Sequence, residues 1–300
     1  MIRRPMLAPQ EDPMSYPRFF KDLQYPLLAS PKFDGIRGVV QGSVVSRTMK
    51  PIRSYQVQDR YKDLSFCDGE LIIGEPTSPD CYNLCQSHVM SFDKPHKDLR
   101  YYVFDWTEHT DLAFYRRLEK AEEYVNKVHS SVENLFFVPH VIIENEDELL
   151  SFEDKCLEEG YEGIMGRDPL GIYKEGRATW KQGLIFKLKR FTDDEGLIIG
   201  FEEGTENTNE QETDERGYAK RSKARDGLVA SGMLGKFLVD YKGLLLKVAP
   251  GSFKHEQRKE IWQRQDEYLN KHLKFRFFGY GVKDLPRFPR AVGFRDKEDM

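Results

Sequence analysis

A lysine stands beside a glycine in Lys32-Phe33-Asp34-Gly35-Ile36-Arg37, with a second cation five positions on. A lysine at the end of an apolar run, just before a glycine, can approach a phosphate closely. To act as a nucleophile it must lose its proton, and nearby cations or a metal ion help it do so. Taken alone, the hexapeptide fits a surface lysine before a turn better than a nucleophile. More chemistry-bearing residues follow in order: Ser46-Arg47-Thr48 with Lys50, the carboxylates Asp68 and Glu70, and the aromatic run Tyr102–Trp106. Then come Glu162, the lysines Lys187 and Lys189, and a C-terminal group from Arg287 to Lys297. Alternating strand geometry puts Asp68 and Glu70 on one face, and likewise Lys187 and Lys189. Paired lysines suit a polyphosphate and would be costly in a dry core.

The elements that must position these residues read as follows. Residues 27–47 are strands broken by turns, with a hairpin at Gln41-Gly42-Ser43, and 67–74 and 100–106 are further strands. Leu112, Tyr115, Leu118, Ala121, Val125 and Val128 recur at helical spacing, which predicts a helix over 111–128. Asn145 and Glu148 form a capping box that opens a second helix over 146–159, with Leu149, Phe152 and Cys156 inward. Short strands follow near 163–167 and 184–191. This first part lacks a regular βαβ rhythm and is read as α+β, mostly antiparallel, over residues 1–190. From 191 to 300 come strands at 196–201, 233–241 and 244–250, one polar helix over 253–270 and a strand at 272–280. Strands around one helix in so short a stretch predict an OB-fold β-barrel.

Composition sets limits. The 300 residues are 39% hydrophobic, with 20 Phe, 15 Tyr and 3 Trp, which is enough to fill a core and excludes a disordered chain. No run approaches the roughly 18 apolar residues of a membrane span, and no secretory signal opens the chain. An intracellular, non-membrane protein is expected. The four cysteines form no CxxC pair and the histidines no HxxxH pattern, so a structural zinc site is not expected. Net charge is −4, a weak argument against a nucleic-acid partner, but residues 191–300 carry 20 basic and 20 acidic residues. Within them, 202–215 hold seven acids and no base, and 216–225 hold five bases (Arg216, Lys220, Arg221, Lys223, Arg225) and no acid. An insert over 202–232 is either a solvated loop or an arm that touches phosphates.

In order and spacing this set resembles the covalent nucleotidyltransferase superfamily, and within it the minimal viral and phage ATP-dependent DNA ligases. SRTMKPIR (46–53), YYVFDW (101–106), GYEGIMGR (160–167), YKEGRAT (173–179), GLIFKLKRF (183–191), GYAKRS (217–222) and PRFPRAVGFRDKEDM (286–300) carry the likeness. The resemblance implies an adenylyltransferase domain over 1–190 and an OB domain over 191–300. It implies ATP and Mg2+ (or Mn2+) as cofactors, nicked duplex DNA as partner, and a monomer. Lys32 is similar to the family nucleophile that forms lysyl-AMP. Arg37 resembles the contact to ribose and DNA end, Phe104 the adenine-stacking aromatic, and Lys187 and Lys189 the pair at the α-phosphate. Ser30 falls in the same AMP pocket, and Arg287 and Asp299 in the motif that orients pyrophosphate. Glu70 and Glu162 resemble metal-site acids, with Asp68 beside them. Arg47, Lys50 and Arg177 match positions at the nick, and the five bases of the insert match a hairpin that closes on duplex. On this reading, neighbouring cations keep Lys32 partly deprotonated. Capping guanylyltransferases and RNA ligases share part of the pattern, as would a non-catalytic end-binding relative.

Overall fold

The computed structural model describes residues 1–10, 19–209, 211–213, 219–221, 227–277 and 285–295. The chain divides into two units, Met1–Arg190 and Phe191–Met300. In the first, β1 (Met6–Leu7), α1 (Phe19–Asp22) and β2 (Leu27–Pro31) are followed by β3 (Ile36–Val40) and β4 (Val44–Val45). Next come α2 (Tyr55–Tyr61), β5 (Cys67–Ile73), α3 (Cys81–Val89), β6 (Leu99–Trp106) and α4 (Phe114–Val128). Then β7 (Leu135–Phe137), β8 (Val141–Ile143), α5 (Glu146–Glu158), β9 (Ile164–Arg167), β10 (Gly176–Arg177) and β11 (Ile185–Leu188) complete it.

Two sheets carry this unit. One has the order β4-β3-β5-β6-β7 and the other β11-β9-β2-β8, while β1 and β10 pair separately. Pairing is antiparallel except for β6–β7 and β1–β10. The mostly antiparallel α+β reading is thus borne out. The first sheet buries Leu71, Ile72, Tyr101 and Val103 against Tyr61 of α2, Cys85 of α3 and Ala121 of α4. The second buries Leu27, Ala29 and Leu188 against Leu149 and Cys156 of α5. All four cysteines are buried and outside any disulfide.

α4 departs from the expected helix. It starts at Phe114, and its buried face is Phe114, Arg117, Ala121 and Val125, in place of the stripe through Leu112, Tyr115 and Leu118. Just ahead of the helix, the Leu112 carbonyl accepts from the Arg117 guanidinium at 2.6 Å. α5 opens as expected, with the Glu148 N–H donating to the Asn145 side chain at 3.0 Å. α2 was not foreseen; Ser54 caps it and only Val57 and Tyr61 are buried, too few for a visible period.

In the second unit β12 (Thr192–Asn207), β13 (Gln211–Thr213), β14 (Ala219–Arg221), β15 (Leu228–Tyr241) and β16 (Leu244–Val248) come first. α6 (His255–Gln263), α7 (Gln265–Tyr268), β17 (His272–Phe277) and β18 (Arg290–Phe294) follow. The sheet order is β16-β15-β12-β17-β18. Its two edges meet: Ala249, just past β16, bridges Arg290 of β18, and the Ala291 N–H donates to Ala249 O at 2.9 Å. The sheet therefore curls around Phe237, Val239, Leu273, Phe275 and Phe277, in keeping with the expected barrel. The single polar helix over 253–270 is instead two, because Arg264 leaves helical geometry at φ −121°, ψ 41°. β12 and β15 stay paired out to Asn207 and Leu228, since a two-stranded ribbon exposed on both faces tolerates charge. Beyond it, β13 and β14 pair Glu212 with Lys220 and Gln211 with Arg221. Arg216, Lys223 and Arg225 lie outside the described residues.

His140 stacks edge-on against Phe114 at 5.3 Å, and burial, then Arg167, lower its pKa to about 4. The unfolded chain binds this proton from pH 6.5 downward and the folded chain only below about 4. Stability attributable to His140 is therefore complete above pH 6.5 and is lost as pH falls, by at most about 3 kcal/mol. Urea titrations from pH 7 to 4 should show a shallower acid loss for His140→Gln than for the parent; parallel curves would contradict this. Taking the difference between the two proteins cancels Glu70, whose raised pKa acts in the opposite sense.

Candidate active site

Lys32 follows β2 directly. Its backbone N–H donates to Gly163 O at 2.8 Å and its carbonyl accepts from the Glu162 N–H at 3.3 Å, extending the β2–β9 ladder. That crossing demands glycine at 163: φ is +144°, and a Cβ would lie 2.2 Å from Leu188 O on β11. Gly35 is equally constrained, since a Cβ there would lie 2.4 Å from Leu71 O. The two glycines let the lysine loop press against both sheets.

At the crossing, the Glu162 carboxylate takes an ion pair from Lys32 Nζ on Oε2 and one from Lys189 Nζ on Oε1, the latter at 2.7 Å. Side-chain exposures of 21% (Lys32), 18% (Glu162) and 16% (Lys189) mean that solvent screens this cluster only in part. Burial disfavours the Glu162 anion, but Lys32 and Lys189 outweigh it and bring the pKa to about 2. Burial, then Lys189, Lys32 and Arg177, lower Lys187 to about 8. Burial also pulls Lys32 down, but Glu162, helped by Glu70 and Asp34, outweighs it and the net shift is upward. The expectation of a partly deprotonated Lys32 is therefore corrected: its closest charged neighbour is a carboxylate, not a cation.

A second group sits on the other sheet. Glu70 of β5 lies in register with Arg37 of β3. Burial raises Glu70 to about 7 against the opposing pull of Lys32 and Arg37. Phe104 of β6 faces Arg37, whose guanidinium carbon is 4.8 Å from the ring centroid. Asp68 does not join Glu70 as a metal-facing acid. It is fully buried, and its Oδ1 and Oδ2 accept from Arg37 Nε and Nη2, both at 2.6 Å. Oδ2 also accepts from the Tyr173 hydroxyl at 2.6 Å. Its two oxygens are spent on orienting Arg37, so the assignment as a metal ligand is corrected.

The electrostatics thus link Lys32, Glu70, Glu162, Lys187 and Lys189 in one cluster, which Arg37 joins through Glu70. Ser30 is buried on β2, two positions before Lys32. Arg177 is exposed and donates to Ala8 O at 2.7 Å. Arg47 and Lys50 are exposed on the turn after β4. Arg287 belongs to the second unit, where its guanidinium lies 5.8 Å from the Phe288 ring centroid. Asp299 is outside the described residues. No trio of ligating side chains forms a ready cation cage among the described residues. A hard divalent cation is nonetheless suited to Glu70 and Glu162, because such ions use one or two carboxylates together with phosphate oxygens. Burial, aided by Asp34 and Asp68, raises Glu70 despite the opposing pull of Lys32 and Arg37.

Sequence reasoning missed Asp105, Arg117, Arg167 and Tyr173, which are all buried. Asp105 takes Arg117 at 2.8 Å and also Arg167. Asp105, Arg167 and Tyr173 stood inside quoted motifs without a role. The one signal for Arg117 was its place on the Phe114–Ala121–Val125 stripe.

The comparisons with known proteins agree with this geometry. A family model of the ATP-dependent DNA ligase domain matches residues 5–189, and one of the DNA ligase OB-like domain matches 229–295. A DNA ligase of African swine fever virus is 26% identical over 205 residues, covering 62% of this chain and 46% of that protein. The chain thus spans less than half the length of the curated relatives it matches. The solved Chlorella virus DNA ligase-adenylate is 31% identical, with all of both chains covered and a TM-score of 0.55. A Lig E DNA ligase, 22% identical over 98% of this chain and 100% of that chain, shares the fold at a TM-score of 0.71.

Removing the Glu162 charge should free Lys32 to titrate lower. In Glu162→Gln, the pH midpoint for acylation of Lys32 by a small acylating reagent, read by peptide mass spectrometry, should fall. An unchanged midpoint would show that Glu162 does not govern this lysine.

Proposed function

We propose, for a chain that belongs to the ATP-dependent DNA ligase family, that it seals 3′-hydroxyl/5′-phosphate nicks in duplex DNA through a lysyl-AMP intermediate. The observation that carries this reading is the cluster in which Glu162 pairs with Lys32 and Lys189, with Lys187 within electrostatic reach. In the first step Lys32 Nζ attacks the α-phosphorus of ATP, forming an N–P bond as the bond to pyrophosphate breaks. Such transfers are won mainly by positioning and charge neutralisation. Lys187 and Lys189 neutralise the α-phosphate, and Arg287 and Asp299 orient the leaving pyrophosphate. Phe104 stacks on adenine, and Arg37, Glu70 and the strand at Ser30 hold the nucleoside. Lys32 must first release a proton. While Glu162 stays paired with it, the ammonium is favoured, so Glu162 acts as the control on nucleophilicity. A Mg2+ or Mn2+ ion held by Glu70 and Glu162 would supply counter-charge for the phosphates. The Chlorella virus relative, solved as a ligase-adenylate, supports AMP as the group carried.

AMP then passes from Lys32 to a DNA 5′-phosphate, and attack by the 3′-hydroxyl releases it. Arg47, Lys50 and Arg177 contact phosphates at the nick. The bases Arg216, Lys220, Arg221, Lys223 and Arg225 touch the duplex backbone from the arm beyond β12 and β15, while its acids stay in water. The protein acts as a monomer inside the cell, in the host cytoplasm or nucleus for a viral enzyme. No helix among the described residues is long and apolar enough to cross a membrane.

Two experiments test this. With a divalent cation, labelled ATP and not GTP should mark the protein, and a singly nicked duplex should be sealed by the parent but not by Lys32→Ala. Sealing by Lys32→Ala would overturn the reading. Separately, neutralising the five arm bases should weaken nick binding and flatten its salt dependence, with little change in labelling by ATP. An unaltered salt slope would remove the arm from the interface.

A further inference from the structure

The proposed nucleotide site is divided between the two sheets of the first unit. Lys32, Glu162, Lys187 and Lys189 stand on or beside β2, β9 and β11 of one. Arg37, Glu70 and Phe104 belong to β3, β5 and β6 of the other. A substrate that must meet both halves needs a fixed gap between the sheets.

Phe104 owes its direction to a bulge. Asp68 faces Asp105 and Gly69 faces Val103, which leaves Phe104 with no partner across the ladder. Bulges re-aim a side chain in this way. The ring then lies 4.8 Å from the Arg37 guanidinium and 5.8 Å from that of Arg167. Asp68 anchors Arg37, and Asp105 anchors Arg167. Asp105 also takes Arg117, the largest fully buried side chain of the chain's described residues. Arg117 packs on the Tyr173 ring at 5.4 Å, and the Tyr173 hydroxyl donates to Asp68 at 2.6 Å. The contacts close a circuit: Phe104, Arg37, Asp68, Tyr173, Arg117, Asp105, Arg167 and back to Phe104. Arg167 sits on β9 and Asp105 on β6, so this ion pair joins the two sheets.

We propose that Asp105, Arg117, Arg167 and Tyr173 form a buried brace that sets the gap between the sheets and holds Phe104 and Arg37 in the attitude that receives the nucleoside. They are positioning residues, and the inference rests on the nucleotide reading above. An ordinary structural ion-pair network would affect folding alone. A brace on one half of the site affects how tightly ATP is held, with little effect once ATP saturates.

The test compares the full-length parent with Arg167→Lys and Tyr173→Phe. ATP affinity is measured by calorimetry without divalent cation, AMP transfer to the protein across ATP concentrations with it, and thermal midpoints alongside. For Arg167→Lys, which loses the planar guanidinium between Phe104 and Asp105, Kd and KM for ATP should rise about ten-fold. For Tyr173→Phe, which loses one hydroxyl, they should rise about three-fold. The rate at saturating ATP should stay within about two-fold of the parent in both. Lower midpoints with unchanged Kd and KM, or a fall in saturated rate with unchanged KM, would overturn the brace. If Arg167→Lys fails to fold, Tyr173→Phe decides by the same criteria. A parent that binds ATP but takes up no AMP would defeat the reaction proposed above, and the Kd ratios would still judge the brace.

Discussion

One carboxylate between two ammonium groups holds the candidate site together. At an effective dielectric of about 20, like charges roughly 4 Å apart repel by about 4 kcal/mol, and the half-buried setting of Lys32 and Lys189 leaves little water to relieve them. Glu162 relieves them by pairing with both. The same contact keeps Lys32 protonated, so the group that allows the lysines to gather also restrains their chemistry. Burial, joined by repulsion from the neighbouring cations, draws Lys187 down to about 8, and burial lowers Lys189 as well. A cluster with this balance is set to respond to any ligand that brings negative charge to the lysines and positive charge to the acids.

The backbone makes that contact available. Gly163 lets the segment from Glu162 into β9 cross close to β11, and Gly35 lets the lysine loop touch β5. Behind them, Asp68 and Asp105 stand opposite each other across β5 and β6, each fully buried and each holding arginine. Buried carboxylates of this kind stabilise only when their partners are in place, and removing one partner is strongly destabilising. The core beneath the site is therefore polar and cross-linked by charge, in contrast to the aromatic core of the second unit around Phe237 and Phe275.

Much of this was legible in the sequence, for physical reasons that differ by residue. Lys32, Glu162, Lys187 and Lys189 could be grouped because their motifs, taken in order, resemble the nucleotidyltransferases; the lysine before Gly35 alone also fits a surface turn. The strands at 67–74 and 100–106 and the α5 cap followed from local pattern alone. What stayed hidden depends on contacts between residues far apart in the chain. Asp68 looked like a second acid beside Glu70, and only the fold shows that Arg37 and Tyr173 consume it. Arg117 sat on an apolar stripe, where a charged residue argues for shifting the helix face, not for a buried guanidinium. The bulge at Phe104 leaves no local mark. The continued pairing of β12 with β15 was not visible in the run of acids, which fitted a solvated loop or an arm.

The central claim is that, of three neighbouring lysines, Lys32, which follows β2, is the nucleophile. Incubating the protein with ATP and a divalent cation, digesting it and mapping the modified peptide by mass spectrometry tests this most directly. The account predicts one AMP, on Lys32, and none on Lys187 or Lys189. AMP on either of those lysines, or no adduct at all, would contradict it.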